Sequence, residues 1–382
     1  MSKLRLAHLT VVASFICFAS IATATVSKET PSKGVKAVLE NYVAEKEIPG
    51  GVTLFHPEHG PAEIVVVGEA DLAKETPMAE DTLFGVMSMT KPISATALMI
   101  LVDEGKVSID DPVSKYIPSF AKAKTTSGEP VRDLKIRHLL THTSGLGGEQ
   151  GCTESLEATA NALAARPFDF QPGERWQYAP SINVVGRIVE VVSGQPFDVF
   201  LRERIFVPLA MSETTFHPSD EQRQRMAALY KKTDDGLALG ERWAGAGEPG
   251  CVPNPSGGLF TTAGDLDRFY QMILNGGELD GHRIVSADAV RQMTSVQTGE
   301  LETGFTPGNA WGLGWCIVRE PQGVTGMLSP GTFGHGGAYG TQAWIDPVKK
   351  RVFVLLFQRA DIGNSDGSDI RKEFQQAAVG QD

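Results

Sequence analysis

Apolar, β-branched runs stand at the two ends of this chain and are scarce between them. GGVTLF (50–55) and EIVVVG (63–68) near the start read as strands, as do WGLGWCIV (311–318), GTQAWID (340–346) and RVFVLLFQ (351–358) near the end. From 106 to about 300 the text is helices and loops, with helical spacing at 136–142, 154–165, 181–193, 197–204 and 264–275. Residues 35–46 and roughly 367–378 add a helix at either end. A long apolar helix covers 88–104; Pro92 suits its first turn and Gly105 stops it. This layout predicts an α+β fold in which one antiparallel sheet is assembled from both chain ends and flanked by helices. The sheet region is about 33–105 and 305–382, and a mainly helical insertion occupies about 106–304. The cleft between the two is a usual place for a small-molecule site.

The first 24 residues read as a secretory signal rather than as part of the fold. Lys3 and Arg5 are followed by an apolar run from Leu9 to Ile21, and Ala22-Thr23-Ala24 offers a cleavage site. The run is short for a membrane span. Cleavage after Ala24 predicts a periplasmic or secreted chain, 25–382, with no stable membrane span. Cys152, Cys251 and Cys316 then remain, enough for at most one internal disulfide. Cys152 and Cys251, both in Gly-rich loop text, are the candidate pair, against three reduced thiols. The net charge of −11 with no long basic run argues against a nucleic-acid partner.

Several familiar chemistries find no support. No Gly-x-Ser-x-Gly elbow is read, so an α/β-hydrolase triad is not expected. Phosphate-loop and His-Glu-x-x-His patterns are absent. His138 and His142 share a helical spacing but lack an intervening Glu and a third ligand, so no metal and no cofactor is expected. Ser88 is different. It sits where a helix begins, amid unpaired N–H groups and partial positive charge, and Lys91 follows three residues on, on the same side. Such a serine is either a cap or a nucleophile whose lysine, once buried, holds its proton. Ser119 and Lys122 repeat the spacing, but in a polar loop with no apolar helix after it. Tyr178, just before a helix in ERWQYAPSINVVG (174–186), is either a core aromatic or a second proton carrier. His335, followed by two glycines at the start of a strand in TFGHGGAYGTQAWID (332–346), is either a turn residue or part of a site. Its glycines leave backbone N–H groups open to a ligand.

Taken in order, Ser-x-x-Lys, then the tyrosine, then x-Gly-Gly on a late strand, the chain resembles the serine β-lactamase and penicillin-binding-protein superfamily. LLTHTSGL (139–146), FQPGERWQY (170–178), GRIVEVVSGQPF (186–197), PSGGLFTTAGDLDRFYQMILNGGELDG (255–281) and GHGGAYGTQAWIDP (334–347) are similar to its class C-type branch, most of all to the family VIII carboxylesterases. The resemblance spans about 33–358. It implies a β-lactamase/transpeptidase-like fold in which Ser88 is the nucleophile that forms an acyl-enzyme and Lys91 its partner in deprotonation. Tyr178 would be a second base, its phenol acidified by Lys91. His335, Gly336 and Gly337 would form the third motif, and the N–H groups of Ser88 and Ala338 the oxyanion hole. His142 and Ser144 belong to a structural turn. Two departures point toward esters. Pro180 stands where many relatives carry asparagine, and Asn183 lies five residues past the tyrosine. His335 stands where many carry lysine, which removes a fixed charge that would clamp a substrate carboxylate. The expectation is an exported serine hydrolase acting on small carboxylic esters. The alternatives are a β-lactamase, a D-amino-acid peptidase or an amide-oligomer hydrolase, and a non-catalytic binding or sensor domain on the same scaffold.

Overall fold

The computed structural model describes residues 31–148, 153–242 and 251–379; the signal reading at 1–24 and Cys152 lie outside them. Eight strands form one antiparallel sheet: β1 (Gly50–His56), β2 (Glu63–Asp71), β3 (Thr76–Pro77), β4 (Asn309–Trp311), β5 (Cys316–Val318), β6 (Phe333–Gly336), β7 (Gln342–Asp346) and β8 (Arg351–Leu356). The spatial order is β4-β5-β6-β7-β8-β1-β2-β3. The two chain ends meet where β8 pairs β1, with Val52 opposite Leu356 and Leu54 opposite Val354.

Side-chain alternation explains why VFVLLF (352–357) is apolar throughout. Val352, Val354 and Leu356 face one core, together with Val52 and Leu54. Phe353, Leu355 and Phe357 face a second core with Val35, Leu39 and Phe374. Successive strand residues point to opposite faces, so a strand covered on both sides has no polar positions to spare. The covers are helices. α1 (Pro31–Ala44) and the closing helix lie together over the second core, and the helix Ala263–Leu274 packs against β1 and β8 on the other face. The region read as an insertion thus lends a helix to the sheet. Among the described residues no helix is long and apolar enough to cross a membrane.

Three local readings change. WGLGWCIV is two strands joined by a tight turn, β4 pairing β5 with Trp311 opposite Cys316. Gly314, at φ 81 with Ala95 and the Lys91 carbonyl close by, makes that turn possible. His335 stands near the end of its own strand, β6, rather than at the start of the next. The long helix begins as a 3₁₀ turn, Met87–Met89, and becomes α2 only at Thr90–Asp103. The middle of the chain also carries a hairpin, Tyr230–Thr233 with Gly236–Leu239, that helical spacing did not announce.

Phe353 is fully buried, with ring centroids 5.4 Å from Phe55 and 6.4 Å from Phe374. Phe353→Ala is expected to cost about 3–5 kcal/mol, read as a lower urea midpoint at unchanged slope.

Candidate active site

The 3₁₀ turn before α2 places Ser88 and Lys91 on one side, as their spacing requires. Lys91 Nζ lies 2.9 Å from Ser88 Oγ, and the Tyr178 hydroxyl donates to the same oxygen at 2.8 Å. Lys91 Nζ also donates to the Ser256 carbonyl at 2.7 Å and lies 4.6 Å from the centre of the Tyr178 ring. Lys91 is only 3 % exposed, and burial lowers the pKa of its amine to about 7. Burial therefore favours the neutral amine over the ammonium.

Burial acts the other way on Tyr178. It pushes the phenol well above its ordinary range, and the hydrogen bond to Ser88 only partly offsets this. The expectation of a phenol acidified by Lys91 is not met in this resting arrangement: burial is the largest influence on the phenol and raises it, and the buried Asp366 adds to the rise. Burial thus favours the protonated phenol on Tyr178 and the neutral amine on Lys91.

His335 hydrogen-bonds through Nδ1 to the Gly336 carbonyl at 2.7 Å. A carbonyl can only accept, so Nδ1 carries the proton. Burial lowers its pKa to about 3, so the ring is neutral. Gly336 and Gly337 are glycines for space: a Cβ at Gly336 would overlap Asp366 Oδ1, and one at Gly337 would overlap Thr341 Oγ1 and crowd the Val86 carbonyl. The hairpin from β6 to β7 therefore presses directly on the turn that carries Ser88, and Thr341 Oγ1 donates to the Val86 carbonyl at 3.2 Å. Among the described residues neither the Ser88 nor the Ala338 N–H donates a hydrogen bond. Met87, just before Ser88, has φ 48, a conformation that costs a non-glycine residue about 1–3 kcal/mol.

The cavity over Ser88 holds about 180 Å³ and is lined by Tyr178, Phe305, His335, Ala338 and Asp366, among others. Aromatic rings back it. Fully buried Trp311 meets His142, Trp176 and His335 at centroid distances of 5.2, 5.3 and 5.5 Å, and half-exposed Phe305 meets Tyr178 at 5.0 Å. Among the described residues no hydrogen bond joins His142 to Ser88. Its ring lies 4.4 Å from that of Tyr178 and its Nδ1 accepts from the Ala179 N–H, which fixes the tyrosine from behind. His138 Nδ1 instead accepts from the Lys135 N–H, so the two histidines have separate tasks. Among the described residues no cluster of three metal-ligating side chains occurs.

The competing motifs separate by geometry. Ser119 and Lys122 lie in a 3₁₀ turn beside a cavity of about 660 Å³ that contains none of the residues above, and no hydrogen bond joins the pair. GNSDG (363–367) does carry the Gly-x-Ser-x-Gly spacing that the sequence reading passed over. Ser365 opens a 3₁₀ turn there and donates to the Gly337 carbonyl at 2.9 Å; no strand leads into it and no base meets it, so it is not a nucleophile elbow.

Ser256 was not foreseen. Its carbonyl holds Lys91, and its N–H is shared by Asn183 Oδ1 and Asn254 Oδ1, each at 2.9 Å. Asn183, a polar residue on the buried face of α3 (Ile182–Ser193), is fully enclosed and does not line the cavity, so it is no substitute for a substrate-facing amide at Pro180. Nearby Cys251 is disulfide-bonded, with its partner outside the described residues, while Cys316 is a free, buried thiol.

Comparison with known proteins agrees with this geometry. The family model described as Beta-lactamase matches residues 35–378. Esterase EstB of Burkholderia gladioli is 30% identical over 368 residues, covering 86% of this chain and 91% of that protein. Penicillin-binding protein 4 of Amycolatopsis lactamdurans is 33% identical over 276 residues, covering 69% and 68%. The solved structure titled "EstCE1, a hydrolase with promiscuous acyltransferase activity" superposes with a TM-score of 0.82 at 24% identity, covering 92% of this chain and 98% of that one. The chain belongs to the beta-lactamase family of serine hydrolases.

Asn183 reaches Lys91 through Ser256, whose N–H it shares with Asn254. Asn183→Ala is expected to lower kcat about ten- to a hundredfold, the equivalent of a lost buried hydrogen bond. KM should change little and the pH limb of kcat should move, which a purely structural loss would not do.

Proposed function

We propose that this member of the beta-lactamase family is an exported hydrolase that cleaves small carboxylic esters through an acyl-enzyme on Ser88. The observation that carries the reading is the placement of Ser88 Oγ between Lys91 Nζ at 2.9 Å and the Tyr178 hydroxyl at 2.8 Å. Neutral Lys91 takes the Ser88 proton as Oγ attacks the ester carbonyl. The N–H groups of Ser88 and Ala338 meet the oxyanion. The Tyr178 phenol gives its proton to the departing alkoxide and is reprotonated from the Lys91 ammonium. Water then enters: its proton passes to neutral Lys91 as its oxygen attacks the acyl carbonyl, Ser88 leaves with the proton of the Tyr178 phenol, and the Lys91 ammonium restores that proton to Tyr178.

Esters are favoured over β-lactams by two features. Pro180 offers no side-chain amide, and neutral His335 offers no cation for a substrate carboxylate. An esterase among the relatives supports the same choice. The penicillin-binding relative supports the amide reading instead. Export is supported by the N-terminal pattern and by the disulfide at Cys251, since disulfides persist in oxidising compartments.

Ser88→Ala is expected to fold normally and to lose p-nitrophenyl ester hydrolysis by at least about 10³-fold. In the unsubstituted protein, kcat/KM for that ester should exceed that for a chromogenic cephalosporin. The reverse order would favour the amide reading, and full activity of Ser88→Ala would remove the assignment of the nucleophile.

A further inference from the structure

One ionisable side chain in the wall of the Ser88 cavity takes no part in the chemistry above. Asp366 is only 5 % exposed, yet it lines the cavity, and its Oδ1 lies so close to Gly336 that only a glycine fits there. Behind it stands Arg371, fully buried on the closing helix, α4 (Asp369–Val379), with its guanidinium 3.8 Å from the centre of the Trp344 ring. Arg371 Nη1 donates to the Asp366 carbonyl at 2.5 Å and Nε to Gln375 Oε1 at 3.3 Å, and Arg371 does not line the cavity. Lys91 does not line it either, being held by Ser88 and the Ser256 carbonyl. With His335 neutral, the charge a substrate meets at this wall is decided by Asp366 in front of Arg371.

We propose that Asp366 sets the charge selectivity of the site: it screens the buried Arg371 guanidinium, so that the cavity takes neutral or donor-bearing esters and rejects esters that carry a carboxylate. The proposal rests on the esterase reading of Ser88. A second carboxylate brought into this enclosed wall would lose its hydration and face the Asp366 carboxyl, two acidic groups that cannot both ionise freely at close range. Burial already raises the Asp366 carboxyl above the usual carboxylate range, with Arg371 and the Gln342 side chain only partly opposing it. An ester arm carrying a hydroxyl, amide N–H or ammonium would instead find an acceptor.

Two isosteric substrate pairs test this on the whole protein. One varies the acid arm, mono-p-nitrophenyl glutarate against p-nitrophenyl glutaramate. The other varies the alcohol arm, 4-acetoxybenzoate against 4-acetoxybenzamide. The unsubstituted protein is expected to prefer the neutral member of at least one pair by thirtyfold or more in kcat/KM, and Asp366→Asn to shrink that preference at least tenfold by leaving Arg371 unscreened. Labelling of Ser88 by a fluorophosphonate probe checks that the variant is folded. A smaller change in the folded variant overturns the assignment. So does a weaker preference in the unsubstituted protein, which decides the matter even if Asp366→Asn does not fold. If the neutral esters acylate Ser88 without charge preference, the Asp366 assignment alone fails. If they do not acylate Ser88 at all, the esterase reading fails, and this inference with it.

Discussion

A lysine amine with no carboxylate to pair with is the constraint on which this structure turns. Lys91 Nζ is buried against a hydroxyl, a carbonyl and an aromatic face. Water would normally solvate an ammonium, and here it cannot, so the neutral form gains and the pKa falls to about 7. Every element around it maintains that enclosure. The apolar body of α2 sinks the lysine into the core, Asn183 fixes the Ser256 carbonyl above it, and the ring of Tyr178 closes the remaining side. Ser88 stays partly open at the cavity.

The same economy of space shapes the other wall. Glycines at 336 and 337 let the β6–β7 hairpin press against Val86 on one side and admit the Asp366 carboxyl on the other. A side chain at either position would push the two halves of the site apart. The eight-stranded sheet makes this possible because β6 is interior, paired with both β5 and β7, and so holds His335 and its glycines in fixed register.

Much of this was legible in the sequence, for physical reasons that differ by residue. The joining of both chain ends in one sheet follows from apolar runs that alternate between two cores, and those runs are local text. Ser88 and Lys91 were legible because a helix fixes the angle between positions three apart. Tyr178 and His335 became readable only through the order of motifs, since a tyrosine or histidine in isolation is compatible with an ordinary core. The split of WGLGWCIV escaped because a turn built by Gly312 and Gly314 leaves no polar signal. Ser256, Asp366 and Phe305 escaped altogether: a backbone carbonyl has no sequence signature, and the other two reach the site from loops whose course is set by distant packing. The state of the Tyr178 phenol was misjudged because a motif shows who the neighbours are, whereas burial decides which charge they carry.

The central claim is that a neutral Lys91, not an ionised tyrosine, starts the reaction. The pH dependence of Ser88 acylation by a neutral p-nitrophenyl ester, followed as the pre-steady-state burst rate, tests it most directly. The rate should rise with pH through an apparent pKa near 7, as Lys91 loses its proton, and level off above it. A rate that keeps climbing until a limb near 10, where an unperturbed lysine or phenol titrates, would contradict the account.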